Sequence, residues 1–233
     1  AFILTIRPDV KQRIVEEQKE ERTIVVLISI PIYRKTIAIV LVFCLLLVAA
    51  GISTINTFAS IVFSEGILTP NEYTILFGVL QFISSVLAST IIEKVNRRTI
   101  LIVSFLIAMT AHISTAILFY LQTRIFIPYF SWWIFASVAL YAMTYSTGIL
   151  TMFYTTRGEL FPQNARPLGG SIAIVGHSLV GFFTAKVFLF VAEVCGVYWN
   201  FAFYSLMSMA SALFVYFILP ETRGKSLMEI QTA

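Results

Sequence analysis

From Ile37 to Leu219, long apolar runs alternate with short polar or charged breaks. Six runs follow one another: about Ile37 to Phe63, Tyr73 to Ile92, Thr99 to Leu121, a run through Trp132 and Trp133 to Thr156, Gly170 to Val191, and Trp199 to Leu219. The second and third hold no Asp, Glu, Lys or Arg, and each reaches the roughly 20 residues needed to cross about 30 Å of hydrocarbon. Between them Glu93-Lys94-Val95-Asn96-Arg97-Arg98 makes a dense charged turn. Lys and Arg concentrate in cytoplasmic loops, so this turn is expected inside, and it sets the side of every other loop. Asn96 fits a tight reversal, since Asn tolerates positive φ better than most residues. Thr69-Pro70 predicts a helix start, with Thr as cap and Pro at the first position. Tyr129, Trp132 and Trp133 suit an interfacial aromatic belt. With every Lys and Arg inside except Arg124 and Lys186, and with Glu65, Glu72 and Glu193 outside, both termini are expected in the cytoplasm.

Ahead of the runs, Asp9 to Arg22 is charged and helix-favouring, and reads either as a short cytosolic helix or as a solvated linker. Ile24 to Ile30 is too short to span and closes at Pro31, Tyr33, Arg34 and Lys35. The expected domains are a linker end over 1–35, a six-helix transmembrane bundle over 36–220 and a cytosolic tail over 221–233. The chain begins at Ala1 without a signal-peptide pattern, which reads as an internal piece of something longer.

Composition agrees: 58% of residues are hydrophobic and 12% charged, where a soluble domain carries about 25% charged residues. The formal charge of +4 comes from the loops, and no basic patch with interleaved aromatics points to a nucleic-acid partner. Cys44 falls mid-span and Cys195 near the opposite surface, so no disulfide is expected between them. His112 and His177 each stand alone, which fits packed or hydrogen-bonded side chains rather than metal ligands. Neither a metal nor a cofactor is called for. Gly176-His177-Ser178-Leu179-Val180-Gly181 is similar to the serine-hydrolase elbow. Its last Gly is displaced by one, and no His follows Ser178 to complete the usual order.

Polar groups inside spans are costly and tend to face protein or a water-filled cavity. The fourth span carries Ser137, Tyr141, Thr144, Gly148, Thr151 and Thr155 at steps of three and four. The first offers Ser53, Asn56 or Thr57, Ser60 and Ser64, and the second Gln81, Ser85 and Ser89. These faces read as a shared hydrophilic path, or as small and hydroxyl residues that let helices pack closely. Gln81 and Asn56 carry the stronger signal, because a primary amide has several groups to satisfy. Lys186 is expected to snorkel from the end of the fifth span.

Four charged segments then carry a family pattern. Pro220-Glu221-Thr222-Arg223-Gly224-Lys225-Ser226-Leu227 resembles the P-E-T-[KR]-G-[KR]-[ST]-L signature after the last helix of sugar porters of the major facilitator superfamily. Glu93 to Arg98 resembles that family's [DE]-R-x-G-R-R turn between helices eight and nine. Gly158-Glu159-Leu160-Phe161-Pro162, with Arg166 seven residues after Glu159, resembles the loop after helix ten. Pro31-x-Tyr33-Arg34-Lys35 resembles the entry into helix seven. The likeness covers nearly the whole chain, as a linker end plus helices seven to twelve, and within the family it points to the insect facilitated trehalose transporters.

The resemblance implies an all-α polytopic membrane protein, the C-terminal half of a major facilitator fold, with a six-helix N-terminal half as partner. It implies facilitative alternating-access transport of a small polar solute, a sugar such as trehalose or a hexose, in the plasma membrane and without enzyme chemistry. Substrate contacts are expected from Gln81, Ser53, Asn56, Thr57, Tyr145, Thr151 and Tyr154. Gating contacts are expected from Glu93, Arg97, Arg98, Glu159, Arg166, Glu221 and Arg223, with Glu159 pairing to Arg97 or Arg98. The chain also departs from the family. Where helix seven has Q-Q-x-x-G-I-N, this sequence has Leu47-Val48-Ala49-Ala50-Gly51-Ile52-Ser53. The helix-ten G-P-x-P-W is replaced by Leu150-Thr151-Met152-Phe153-Tyr154, and a helix-eleven Asn-Trp pair by Leu179-Val180. A transport-deficient relative acting as sensor or partner-binding protein, or a truncated fragment, is the alternative.

Overall fold

The computed structural model describes residues 31–63, 69–91, 95–125, 130–160 and 166–219. The Asp9–Arg22 segment, Glu93, and the tail with Glu221 and Arg223 lie outside them. Among the described residues every element is helical: α1 (Pro31–Ala49), α2 (Ile52–Thr57), α3 (Ala59–Val62), α4 (Pro70–Ile91), α5 (Arg97–Gln122), α6 (Phe130–Thr144), a π-helical turn (Tyr145–Leu150), α7 (Thr151–Leu160), α8 (Arg166–Val194) and α9 (Val197–Phe217). Five stretches are long and apolar enough to cross a membrane: Pro70–Thr90, Arg97–Gln122, Ser131–Thr155, Pro167–Val194 and Val197–Phe217.

The first apolar run differs from the single span expected of it. It forms a shorter apolar helix, Thr36–Ala49, and then two short helices. Gly51 breaks it with φ +97°, a left-handed conformation that costs any residue with a Cβ. A Cβ at Gly51 would also come within 2.6 Å of the Tyr204 ring from α9. The two demands coincide, so only glycine fits. A second interruption at Phe58 separates α2 from α3, and there the Phe58 ring stacks on Phe188 of α8 at 5.3 Å.

Local signals hold at the start of α4. The Thr69 hydroxyl and backbone N–H both donate to Glu72 Oε2, at 2.9 and 2.8 Å, and the Glu72 N–H faces Thr69 Oγ1 at 3.4 Å. This reciprocal box satisfies donors that a helix end leaves open. Asn96 does not use its tolerance of positive φ. It sits just before α5 at φ −63°, ψ 134°, extended rather than left-handed, because it serves as the helix N-cap residue and caps adopt β-region backbone.

Within lipid the helices are not driven together by water, so packing and internal hydrogen bonds hold the bundle. Phe43 of α1 packs on Phe105 of α5 at 6.4 Å, Phe153 of α7 at 5.5 Å and Phe214 of α9 at 6.3 Å, joining four spans. A second cluster gathers Phe63, Tyr73 and Phe135, with centroids 5.2 to 5.6 Å apart. The Cys44 thiol donates to the Ala173 carbonyl across α1 and α8, and Asn200 donates to the Phe188 carbonyl at 3.2 Å across α9 and α8. The fourth span lies deepest, with 56% of its most apolar window buried.

Candidate functional site

The polar stripe of the fourth span is drawn mostly into packing. Tyr141 is fully buried and its hydroxyl donates to the Ala50 carbonyl at 2.9 Å, a group exposed by the break in the first span. Gly148 lies where a Cβ would collide with the Ser104 hydroxyl and sit 2.9 Å from its Cβ, so glycine lets α5 approach. Beside it the chain takes a π turn, closed by the Thr151 hydroxyl donating to the Ser146 carbonyl at 3.0 Å. The Thr147 hydroxyl reaches the Ser84 carbonyl at 3.2 Å and ties this turn to α4.

The two amides singled out above do meet. Gln81 Nε2 donates to Asn56 Oδ1 at 3.0 Å, linking α4 to α2 across 25 residues of chain. Asn56 is exposed and Gln81 half-buried. One bond leaves most of two primary amides' donors and acceptors for a hydroxylated partner. Thr57 is exposed and Ser53 half-buried beside this pair, and the Thr57 hydroxyl returns to the Ser53 carbonyl at 2.8 Å. Thr151 is half-buried and Tyr154 exposed. Tyr145 is placed differently: it is 4% exposed, inside the bundle, with its ring 6.1 Å from that of Tyr141.

At the charged turn, the Arg98 guanidinium donates to the Tyr216 carbonyl and lies 5.5 Å from the Tyr216 ring centroid. It thereby ties the start of α5 to the end of α9. Arg97 is half-buried as the first residue of α5. Glu159 and Arg166 belong to the backbones of α7 and α8, with their side chains outside the described residues. Lys186 is exposed, with its ammonium 6.0 Å from the Phe182 ring centroid. Among the described residues no three His, Cys, Asp or Glu side chains gather where a metal could be held.

Sequence reasoning missed the Arg98 contact and the cluster around Ala50. The available signals were a glycine midway along an apolar run and tyrosines inside two other spans. Neither names a partner without the fold.

A family model described as "Sugar (and other) transporter" matches residues 6–233. The Facilitated trehalose transporter Tret1 of Bombyx mori is 27% identical over 184 residues, covering 78% of this chain and 36% of that protein. Solute carrier family 2, facilitated glucose transporter member 2 of Sus scrofa is 28% identical over 233 residues, covering 95% of this chain and 44% of that protein. The chain thus spans less than half the length of these relatives. Among solved structures, the inward-open xylose transporter XylE from E. coli aligns with TM-score 0.73 and 23% identity, over 84% of this chain and 41% of that one. A D-xylose-proton symporter aligns with TM-score 0.74 and 21% identity, over 96% and 52%. The family match over nearly the whole chain and the shared helical fold agree: this chain belongs to the sugar (and other) transporter family, with the fold of the major facilitator superfamily.

Proposed function

We propose that this chain is the C-terminal half of a facilitative sugar carrier, moving trehalose or a hexose by alternating access together with a six-helix N-terminal half. The observation that carries this reading is the Gln81–Asn56 amide pair, held between two helices and open on one side. Paired amides match the alternating donors and acceptors of sugar hydroxyls, and removing one partner leaves the rest unpaired. Such halves rock about a site near the midplane, so no bond is made or broken. Ser53, Thr57, Thr151 and Tyr154 extend the contact surface, while Tyr145 backs it from within. Glu159, Arg166, Glu93, Glu221 and Arg223 would join Arg97 and Arg98 in a charged network that closes the cytoplasmic side.

One observation favours the second reading, a transport-deficient relative. Leu47 and Val48, which stand where the family carries glutamines, are both fully buried, so that stretch of α1 packs and offers no amide. Uptake of labelled trehalose and glucose by the full-length carrier in transport-null cells separates the two. Transport is expected, and Gln81→Leu should raise the half-saturation concentration about tenfold, the effect of losing about 1.4 kcal/mol of binding. No uptake of either sugar at normal surface expression would favour the second reading. Unchanged uptake by the variant would remove Gln81 from the site.

The proposed orientation places both termini in the cytoplasm of a plasma-membrane protein. Cysteines introduced at Asn71 and Arg124 should react with an impermeant thiol reagent applied to intact cells, and one at Val95 should not. Labelling at 95 would invert the topology.

A further inference from the structure

Four other spans converge on the break in the first. Tyr141 of α6 donates to the Ala50 carbonyl at 2.9 Å. Tyr204 of α9 covers Gly51 and faces Thr54. Thr54 itself donates to Thr184 of α8 at 3.4 Å. The last member is His112 of α5. Its ring lies 4.0 Å from that of Tyr141, 5.7 Å from Tyr204 and 5.9 Å from Phe201. It is fully buried, and the Ala50 carbonyl is close enough to interact with it. Even so, neither Nδ1 nor Nε2 completes a hydrogen bond.

A neutral imidazole has one donor and one acceptor, and burying both unmade is costly. A phenylalanine would fill this place without that cost, so packing alone does not account for the residue. The uncommon feature of the site is the carbonyl beside it. Ala50 lies at a helix break, and its oxygen has two lone pairs with Tyr141 donating to one. We propose that His112 is a positioning residue for the first span, acting as a second donor to the free lone pair of the Ala50 carbonyl. With Tyr141 bonded alone, as here, or with both donors engaged, the carbonyl has two arrangements, which give the Ile52–Thr57 segment two discrete positions. That segment carries Ser53, Asn56 and Thr57. The two donors come from different spans, α6 and α5, so the bend follows their relative movement. One buried carbonyl with two arrangements is the kind of bistable element through which coupling travels.

The inference rests on the transport reading for its purpose, so its test includes a readout that needs no sugar. In the full-length carrier with Cys195→Ser, a cysteine at Asn56 reports the position of the segment through its rate of thiol labelling. His112→Phe keeps a ring and removes both nitrogens, whereas His112→Gln keeps a donor and an acceptor. With His112→Phe the labelling rate should change about fivefold or more, while thermal stability stays level or rises. With His112→Gln labelling should stay close to that of the parent. In the carrier with Asn56 intact, His112→Phe should lower the maximal uptake rate more than it alters the half-saturation concentration. Parental labelling with His112→Phe, equal effects of Phe and Gln, or loss of folded protein with Phe would each overturn the proposal and leave His112 as packing. A carrier that moves no sugar yet shows the labelling difference would overturn the transport reading and leave this one standing.

Discussion

The fourth and fifth spans are both long, apolar and nearly uncharged, yet 56% of the fourth's most apolar window is buried against 6% of the fifth's. Apolarity does not separate them, because lipid tails accept Leu and Phe as readily as a protein interior does. The difference lies in close approach and hydrogen bonding. In the fourth span Gly148 admits Ser104, Thr147 bonds the Ser84 carbonyl and Tyr141 bonds the Ala50 carbonyl, so three neighbours are tied to it. In the fifth span Gly181 meets nothing nearer than Val48 at 3.9 Å, and Phe182, Phe183 and Phe190 are exposed. That span is held by Cys44, Thr54 and Asn200 reaching toward it. Its open surface is available to lipid or to the second half that the proposed function requires.

Gly148→Leu tests the contrast most severely. A side chain there must displace Ser104 or open the α5 interface, and overpacking of this kind costs about 1–3 kcal/mol. Thermal unfolding in detergent should show a marked loss, and a stability equal to the parent would mean that the fourth span is no more tightly packed than the fifth. Asn200→Ala should cost about 1 kcal/mol, since it removes a buried hydrogen bond between the last two spans. A negligible loss would leave the fifth span held by ring packing alone. The smallest effect belongs to Gly181→Ala, where a Cβ would make only ordinary contact with Val48 at 3.9 Å and better helix propensity predicts no loss, or a gain of about 0.5–1 kcal/mol. A destabilised Gly181→Ala protein would place that face against something the single half does not contain.

Much of the framework was legible because a bilayer allows few solutions. Span limits such as Tyr73 to Ile92 fell within a few residues of Pro70–Ile91, and Thr69-Pro70 began a helix as expected. The candidate site was legible in part. Gln81 and Asn56 stood out for the cost of burying an amide, but their mutual bond depends on the rotation of two helices 25 residues apart. The polar stripe of the fourth span illustrates the opposite case. A stripe counted at 3.6 residues per turn presumes an unbroken α-helix, and the π turn at Tyr145–Leu150 changes the register within it. Asn96 likewise carried a propensity for positive φ that its place as a helix cap overrode.

By itself the sequence determined the all-helical class, the apolar runs, the charged turns between them and the family pattern. Each of these is written in the residue order and enforced by hydrocarbon, which tolerates neither charges nor unpaired backbone. Tertiary structure decided where the first span breaks, because Gly51 needs both its own left-handed backbone and Tyr204 from a helix 153 residues later. It decided that Tyr141 caps Ala50, that His112 is enclosed beside them, and that the fourth rather than the fifth span fills the centre. Those outcomes depend on helix rotation and close approach, and residues alike in hydropathy do not encode them one span at a time.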